Sequence, residues 1–208
     1  MKTFAVYFNH RAHHTDACAC TSAAAEPQWC FLPDSATFRS GNPFFIPDFA
    51  TNFEARPCVA LRLTRLGKSV APRFAARYIT EAAPAVCMVA ADLLASLRAE
   101  GLPWSRAVAF DRSLLLGDFV ALDGADLQSL AMTLTIGEEK KSWQAANMLL
   151  PAAESLSLTS RDNTVKTGDL LLPAVSDSGI TLRQDTRLTA SLAVGADTYN
   201  DLLTINIK

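Results

Sequence analysis

Val59-Ala60-Leu61-Arg62-Leu63-Thr64-Arg65-Leu66 alternates apolar and polar side chains at a period close to two, which predicts a strand with one face buried and one wetted. Working outward, residues 130–136, 169–172, 187–194 and 202–207 carry the same β-type pattern, each bounded by the Gly, Asp, Asn or Pro that ends strands. Residues 4–8 alternate too. Helix is expected at 91–100, where Leu93, Leu94 and Leu97 share a face and Gly101 and Pro103 stop it, and again at 145–156. The small-residue stretch 21–25 reads as a surface loop. The fold class that follows is α+β and mostly β, with a C-terminal half built of strands.

A chain of 208 residues, half of them hydrophobic, has material for one sizeable core, so a single domain over 1–208 is expected. With 19 Lys and Arg against 21 Asp and Glu there is no electrostatic reason to attract nucleic acid. No apolar run approaches the roughly 20 residues that span a bilayer, and the opening Met1-Lys2-Thr3 leads into a strand rather than a signal-type block. A soluble, cytoplasmic protein with no membrane role is the expectation. Five cysteines at irregular spacing, Cys18, Cys20, Cys30, Cys58 and Cys87, point to reduced thiols rather than a disulfide framework.

Several short words occur in order along the chain: Phe31-Leu32-Pro33-Asp34-Ser35-Ala36, Asn42-Pro43-Phe44-Phe45-Ile46-Pro47-Asp48-Phe49, Leu66-Gly67-Lys68, Gly101-Leu102-Pro103-Trp104, Ala109-Phe110-Asp111, Gly117, Gly168-Asp169-Leu170 and Ile207-Lys208. Together they make the chain resemble the fumarylacetoacetate hydrolase family, closest to its short bacterial members, from Asn9 to Lys208. The resemblance implies a mixed β-sandwich or β-roll with a few short helices, usually a homodimer. It also implies an N-terminal strand and lid-like segment over 1–40 and a β-roll core over 41–208.

Family members cleave, isomerise or decarboxylate 2-oxo acids with magnesium held by three carboxylates: a Glu-x-Glu pair on one strand and an Asp ahead of a helix. Side chains two apart on a strand point the same way, so such a pair aims two hard oxygen ligands at one ion. Counted back from Gly67-Lys68, the pair falls on Arg56 and Cys58, flanking Pro57; counted back from Gly101-Leu102-Pro103-Trp104, the third ligand falls on Cys87, while Asp92 matches a second, non-ligating Asp. A two-residue slip would instead give Glu54 and Arg56. On either register the resemblance implies a lost magnesium site. A guanidinium is a permanent cation and a thiol a poor magnesium ligand, so no metal cofactor is expected.

The family's lysine ahead of Phe-Asp is matched by Val108, the lysine before Pro-Asp by Leu32, and the substrate-contacting Thr-Gly-Thr-Pro turn by Pro173-Ala174-Val175-Ser176. What survives of the Arg-Asn-Tyr-x-x-His segment is Asn9 and His13, with Asp16 three residues on. His13 and Asp16 read either as a remnant water-activating dyad, His13 the base and Asp16 its orienter, or as a solvated loop that keeps a histidine. His10, His13, His14, Cys18 and Cys20, with Cys30 available, have the composition of a soft-metal site but fit no standard zinc spacing. Trp29, Trp104 and Trp143 read as core or interface material.

Three functions of different class are compatible with these residues. The first is a catalytically impaired family member whose cleft binds a small carboxylate through Arg56. The second is an active hydrolase, isomerase or decarboxylase with a displaced metal site using Glu54, Asp92 or Asp111. The third is a structural or partner subunit.

Overall fold

In the computed structural model, which describes residues 1–10 and 26–208, the strand read at Val59 begins earlier: β4 runs Phe53–Leu63 and pairs antiparallel along its whole length with β5, Ile79–Ala90. Both strands carry a proline, Pro57 and Pro84, which a central strand normally excludes because the ladder loses a donor. The placement explains the tolerance. The Pro57 carbonyl accepts from Ser176 N, on the side of β4 away from β5. That side is bare between two partners, β11 (Ile180–Thr181), which pairs at Glu54 and Ala55, and β10 (Leu170–Leu172), which pairs at Leu61 and Arg62. Pro84 likewise falls between β6 (Leu114–Leu116), which pairs residues 85–87, and β7 (Val120–Ala121), which pairs residues 81–82. Its carbonyl accepts from Gly117 N, and a Cβ on Gly117 would come within 2.8 Å of the Pro84 ring.

The large sheet runs β2 (Gln28–Leu32), β1 (Thr3–Tyr7), β10, β4, β5, β6, β3 (Thr37–Arg39), with β11 and β7 added to β4 and β5. The first segment is thus woven into the core sheet: β1 is parallel to β10, antiparallel to β2 and buried throughout. The second sheet is antiparallel, in the order β13 (Asp197–Asn206), β12 (Arg187–Val194), β8 (Ala131–Ile136), β9 (Glu139–Gln144), and meets the first across β4 and β5. Along β8 the burial alternates residue by residue, as the sequence pattern requires. The result is the mostly-β, two-sheet architecture with few helices that the sequence implied. Among the described residues no helix is long and apolar enough to cross a membrane.

Helix α1 (Ala91–Ala99) stands as expected. Asp92 accepts from Leu93 N at its start, and Gly101, at φ 67°, donates to Arg98 O at its end while Leu102 N reaches back to Leu97 O. The short α2 (Ser105–Val108) follows. The helix expected at 145–156 is displaced: 145–147 is a single tight turn and α3 runs Ala152–Asp162. Pro151 cannot donate within a helix, and Asn9 holds Leu150 instead, receiving its N–H at 2.7 Å and donating to its carbonyl at 2.8 Å. Asn9 also donates to Pro173 O at 2.8 Å, so this buried side chain ties β1 to two loops.

Candidate functional site

Glu54, Arg56 and Cys58 alternate along β4 and therefore share one face, with Cys87 opposite Arg56 on β5. Arg56 is 5% exposed. Its Nε and Nη2 reach Glu54 Oε2 at 3.0 and 2.9 Å, and the same carboxylate oxygen accepts from Gly179 N at 3.1 Å. The remaining terminal nitrogen, Nη1, is buried with no hydrogen-bond partner among the described residues. The Cys58 and Cys87 sulfurs lie 3.7 Å apart, and Cys58 Sγ is 3.4 Å from the Ala85 carbonyl. Burial, then the hydrogen bond and charge of Cys87, hold the Cys58 thiol well above its usual range, so it stays protonated.

Tyr7, the last residue of β1, projects its hydroxyl into the same region. Burial is the main force raising its pKa, the thiols of Cys87, Cys30 and Cys58 add to it, and Arg56 opposes. The hydroxyl is buried and has no partner among the described residues. The Tyr7 ring packs edge-on against Trp104, centroids 4.9 Å apart. Two donors, Arg56 Nη1 and Tyr7 Oη, near enough for the Arg56 charge to act on the phenol, are therefore buried without acceptors among the described residues, an arrangement that an anion would satisfy.

One wall is the loop over 173–179. Trp143 Nε1 donates to Ala174 O at 2.8 Å, Val175 N to Val6 O, Ser176 N to Pro57 O, and Lys141 Nζ to Ser178 Oγ at 2.6 Å. Asp177 lies in this loop. Burial pushes its carboxyl up to about 6 against the pull of Arg56, Arg98 and the Phe8 N–H. Lys141 is lowered by burial, with Glu54 raising it and Arg56 lowering it, and His10 is lowered by burial and then by Lys141.

His13, Asp16, His14, Cys18, Cys20 and the stretch 21–25 lie outside the described residues. His10 is described: it makes an isolated bridge with Met148, and its Nε2 has no partner among the described residues. Cys30, Cys58 and Cys87 are free thiols. The three acids of the displaced-metal reading are held apart by different partners. Glu54 serves Arg56 and Gly179. Asp92 accepts from Thr51 N and Oγ1 at 2.8 and 2.6 Å, which pulls its pKa down to about 2, and Asp111 accepts from Ser35 Oγ at 2.7 Å. Among the described residues no three His, Cys, Asp or Glu side chains are grouped to hold a metal ion. Val108 and Leu32, at the two lysine positions of the resemblance, are both buried. The sequence reading missed Tyr7, Lys141 and Asp177. The single signal for Lys141 is its spacing of two from Trp143, which puts both on the inner face of β9.

A family model described as fumarylacetoacetate (FAA) hydrolase C-terminal matches residues 2–183. Among characterised relatives, the oxaloacetate tautomerase FAHD1, mitochondrial, of Rattus norvegicus is 25% identical over 150 residues, which cover 71% of this chain and 68% of that protein. The crystal structure of fumarylpyruvate hydrolase from Pseudomonas aeruginosa in complex with Mn2+ and pyruvate superposes with a TM-score of 0.84 at 18% identity, covering 100% of this chain and 89% of that one. The 5-carboxymethyl-2-hydroxymuconate delta-isomerase of Mycobacterium smegmatis gives a TM-score of 0.81 at 20% identity, over 99% and 76% of the two chains. At these identities the superpositions show a shared fold.

Proposed function

The chain belongs to the fumarylacetoacetate hydrolase family, and from that premise we propose that its cleft binds the carboxylate of a small 2-oxo acid without a divalent cation. The observation that carries this reading is the buried Arg56, paired on one side with Glu54 and, among the described residues, without a partner at Nη1 on the other. The side chains at the positions that the resemblance gives to magnesium ligands, Arg56, Cys58 and Cys87, do not fit a hard dication. A guanidinium repels it, two buried thiols offer soft sulfur, and the nearby carboxylate of Glu54 is already committed. In magnesium-dependent relatives the cation supplies charge that stabilises a developing enolate. Here the Arg56 guanidinium supplies a fixed charge for a carboxylate, with Tyr7 Oη as a second donor, and the catalytic power of the cleft is reduced accordingly.

Titration calorimetry with oxalate, pyruvate and an acylpyruvate tests this, in the presence of EDTA and again with added magnesium. Binding is expected under both conditions and is weakened roughly tenfold or more in Arg56→Met. Absence of binding, or binding only with magnesium, would falsify the proposal. Turnover of oxaloacetate or an acylpyruvate that a chelator abolishes and Glu54→Ala removes would establish the metal-dependent alternative instead.

A further inference from the structure

Strand β9 lies at the sheet edge and is mostly polar, yet Lys141 is turned inward beside Trp143 and half-buried, whereas its neighbour Lys140 is exposed. Its amine donates to Ser178 Oγ at 2.6 Å. The next residue of that loop, Gly179, donates its N–H to the Glu54 carboxylate that holds Arg56. One short stretch of chain thus connects the amine to the guanidinium, and the charges of both Glu54 and Arg56 act on the amine. Removal from water is the main force favouring the neutral, nucleophilic form of this amine; Glu54 opposes it and the Arg56 charge adds to it, and the balance leaves the amine closer to the state in which lysines attack carbonyls.

We propose that Lys141 condenses with the carbonyl carbon of a 2-oxo acid whose carboxylate is seated on Arg56, forming a Schiff base in the cleft. This rests on the carboxylate-binding reading above. The nitrogen lone pair forms the C–N bond, and the carbonyl oxygen departs as one water molecule carrying the two protons of the amine. No oxidant or reductant is needed. Protonation of the imine nitrogen from solvent gives the iminium, which withdraws electrons from the neighbouring carbon, a role that a divalent cation plays for an enolate in metal-dependent relatives.

Sodium borohydride reduces such an imine to a stable secondary amine. Incubation of the protein with pyruvate and borohydride, followed by intact mass measurement and peptide mapping, is expected to place the adduct on Lys141 and not on exposed Lys140. Lys141→Arg loses the adduct while calorimetry still detects pyruvate, and Arg56→Met weakens both. Pyruvate binding with no adduct on Lys141, or equal labelling of Lys140 and Lys141, would overturn the Schiff base and leave the Arg56 reading standing. Neither binding nor adduct would overturn both.

Discussion

Replacing Arg56 by Met keeps the apolar stem of the side chain but removes the guanidinium head and its charge. Glu54 then retains one of its three donors, Gly179 N at 3.1 Å, having lost those at 3.0 and 2.9 Å. Breaking a fully buried pair from one side costs roughly 3–5 kcal/mol. The Glu54 side chain keeps 20% of its accessibility, so water compensates in part, and the expected cost is about 2–3 kcal/mol. For a chain of this size that is a fall in Tm of roughly 4–12 °C. Glu54→Gln combined with Arg56→Met removes both charges and should return to within about 1 kcal/mol of wild type. Urea denaturation of the wild type, the two single variants and the double variant closes the cycle. The same Arg56 variant should weaken pyruvate binding roughly 10- to 150-fold, the value of a charged hydrogen bond of about 1.5–3 kcal/mol. A single Arg56 variant as stable as wild type, or a double variant no better than the single, would refute the ion-pair argument. An unchanged affinity would refute Arg56 as the seat of the carboxylate.

Gly179→Ala should cost about 1–3 kcal/mol in chemical denaturation, because its Cβ would stand 2.5 Å from the Ala55 carbonyl oxygen, a backbone atom that cannot step aside. Asp177 gives a pH signature. Its folded pKa of about 6 lies above the ordinary aspartate value of 3.8, so the folded state binds the extra proton, and the stability it contributes is full below about 4 and lost as pH rises through about 6. Asp177→Asn should abolish that falling limb, seen as melting temperatures that no longer decline across the window. Cys58 is held well above its normal range and Cys30 is pushed up to about 12, so neither should react with a disulfide reagent at pH 8 in the native protein. Both should react on unfolding, and rapid native labelling mapped to either would contradict their burial.

The alternating strands β8 and β12 were legible because each has one buried and one wetted face. β5 was not, since Ala82-Ala83-Pro84-Ala85-Val86-Cys87-Met88-Val89-Ala90 is buried on both sides and carries no period, and its proline argues against a strand. The alternation read from Val59 shows nothing of the earlier half of β4, where Pro57 is acceptable because no strand pairs with β4 on that side, which depends on where β10 and β11 end. The helix at 145–156 failed because Asn9, far away in sequence, holds Leu150. In the site, the row Glu54, Arg56, Cys58 and the acids missing from it could be read from spacing. The pairing of Arg56 with Glu54 lies within the same row, two residues apart on one strand, but the approach of Lys141, Asp177 and Gly179 could not be read, because it arises from contacts between segments some 80 to 125 residues apart.

Pro57 has a consequence for how the wall of the site is held. Having no N–H, it offers the loop over 173–179 an acceptor and no donor, so Ser176 docks on β4 through one bond instead of the two-way exchange of a ladder. With that bond worth about 1 kcal/mol net, the loop depends on its other tethers, Trp143 Nε1 to Ala174 O, Val175 N to Val6 O and Gly179 N to Glu54. The proline thereby shifts the anchorage of this wall from strand pairing to side chains and a neighbouring strand.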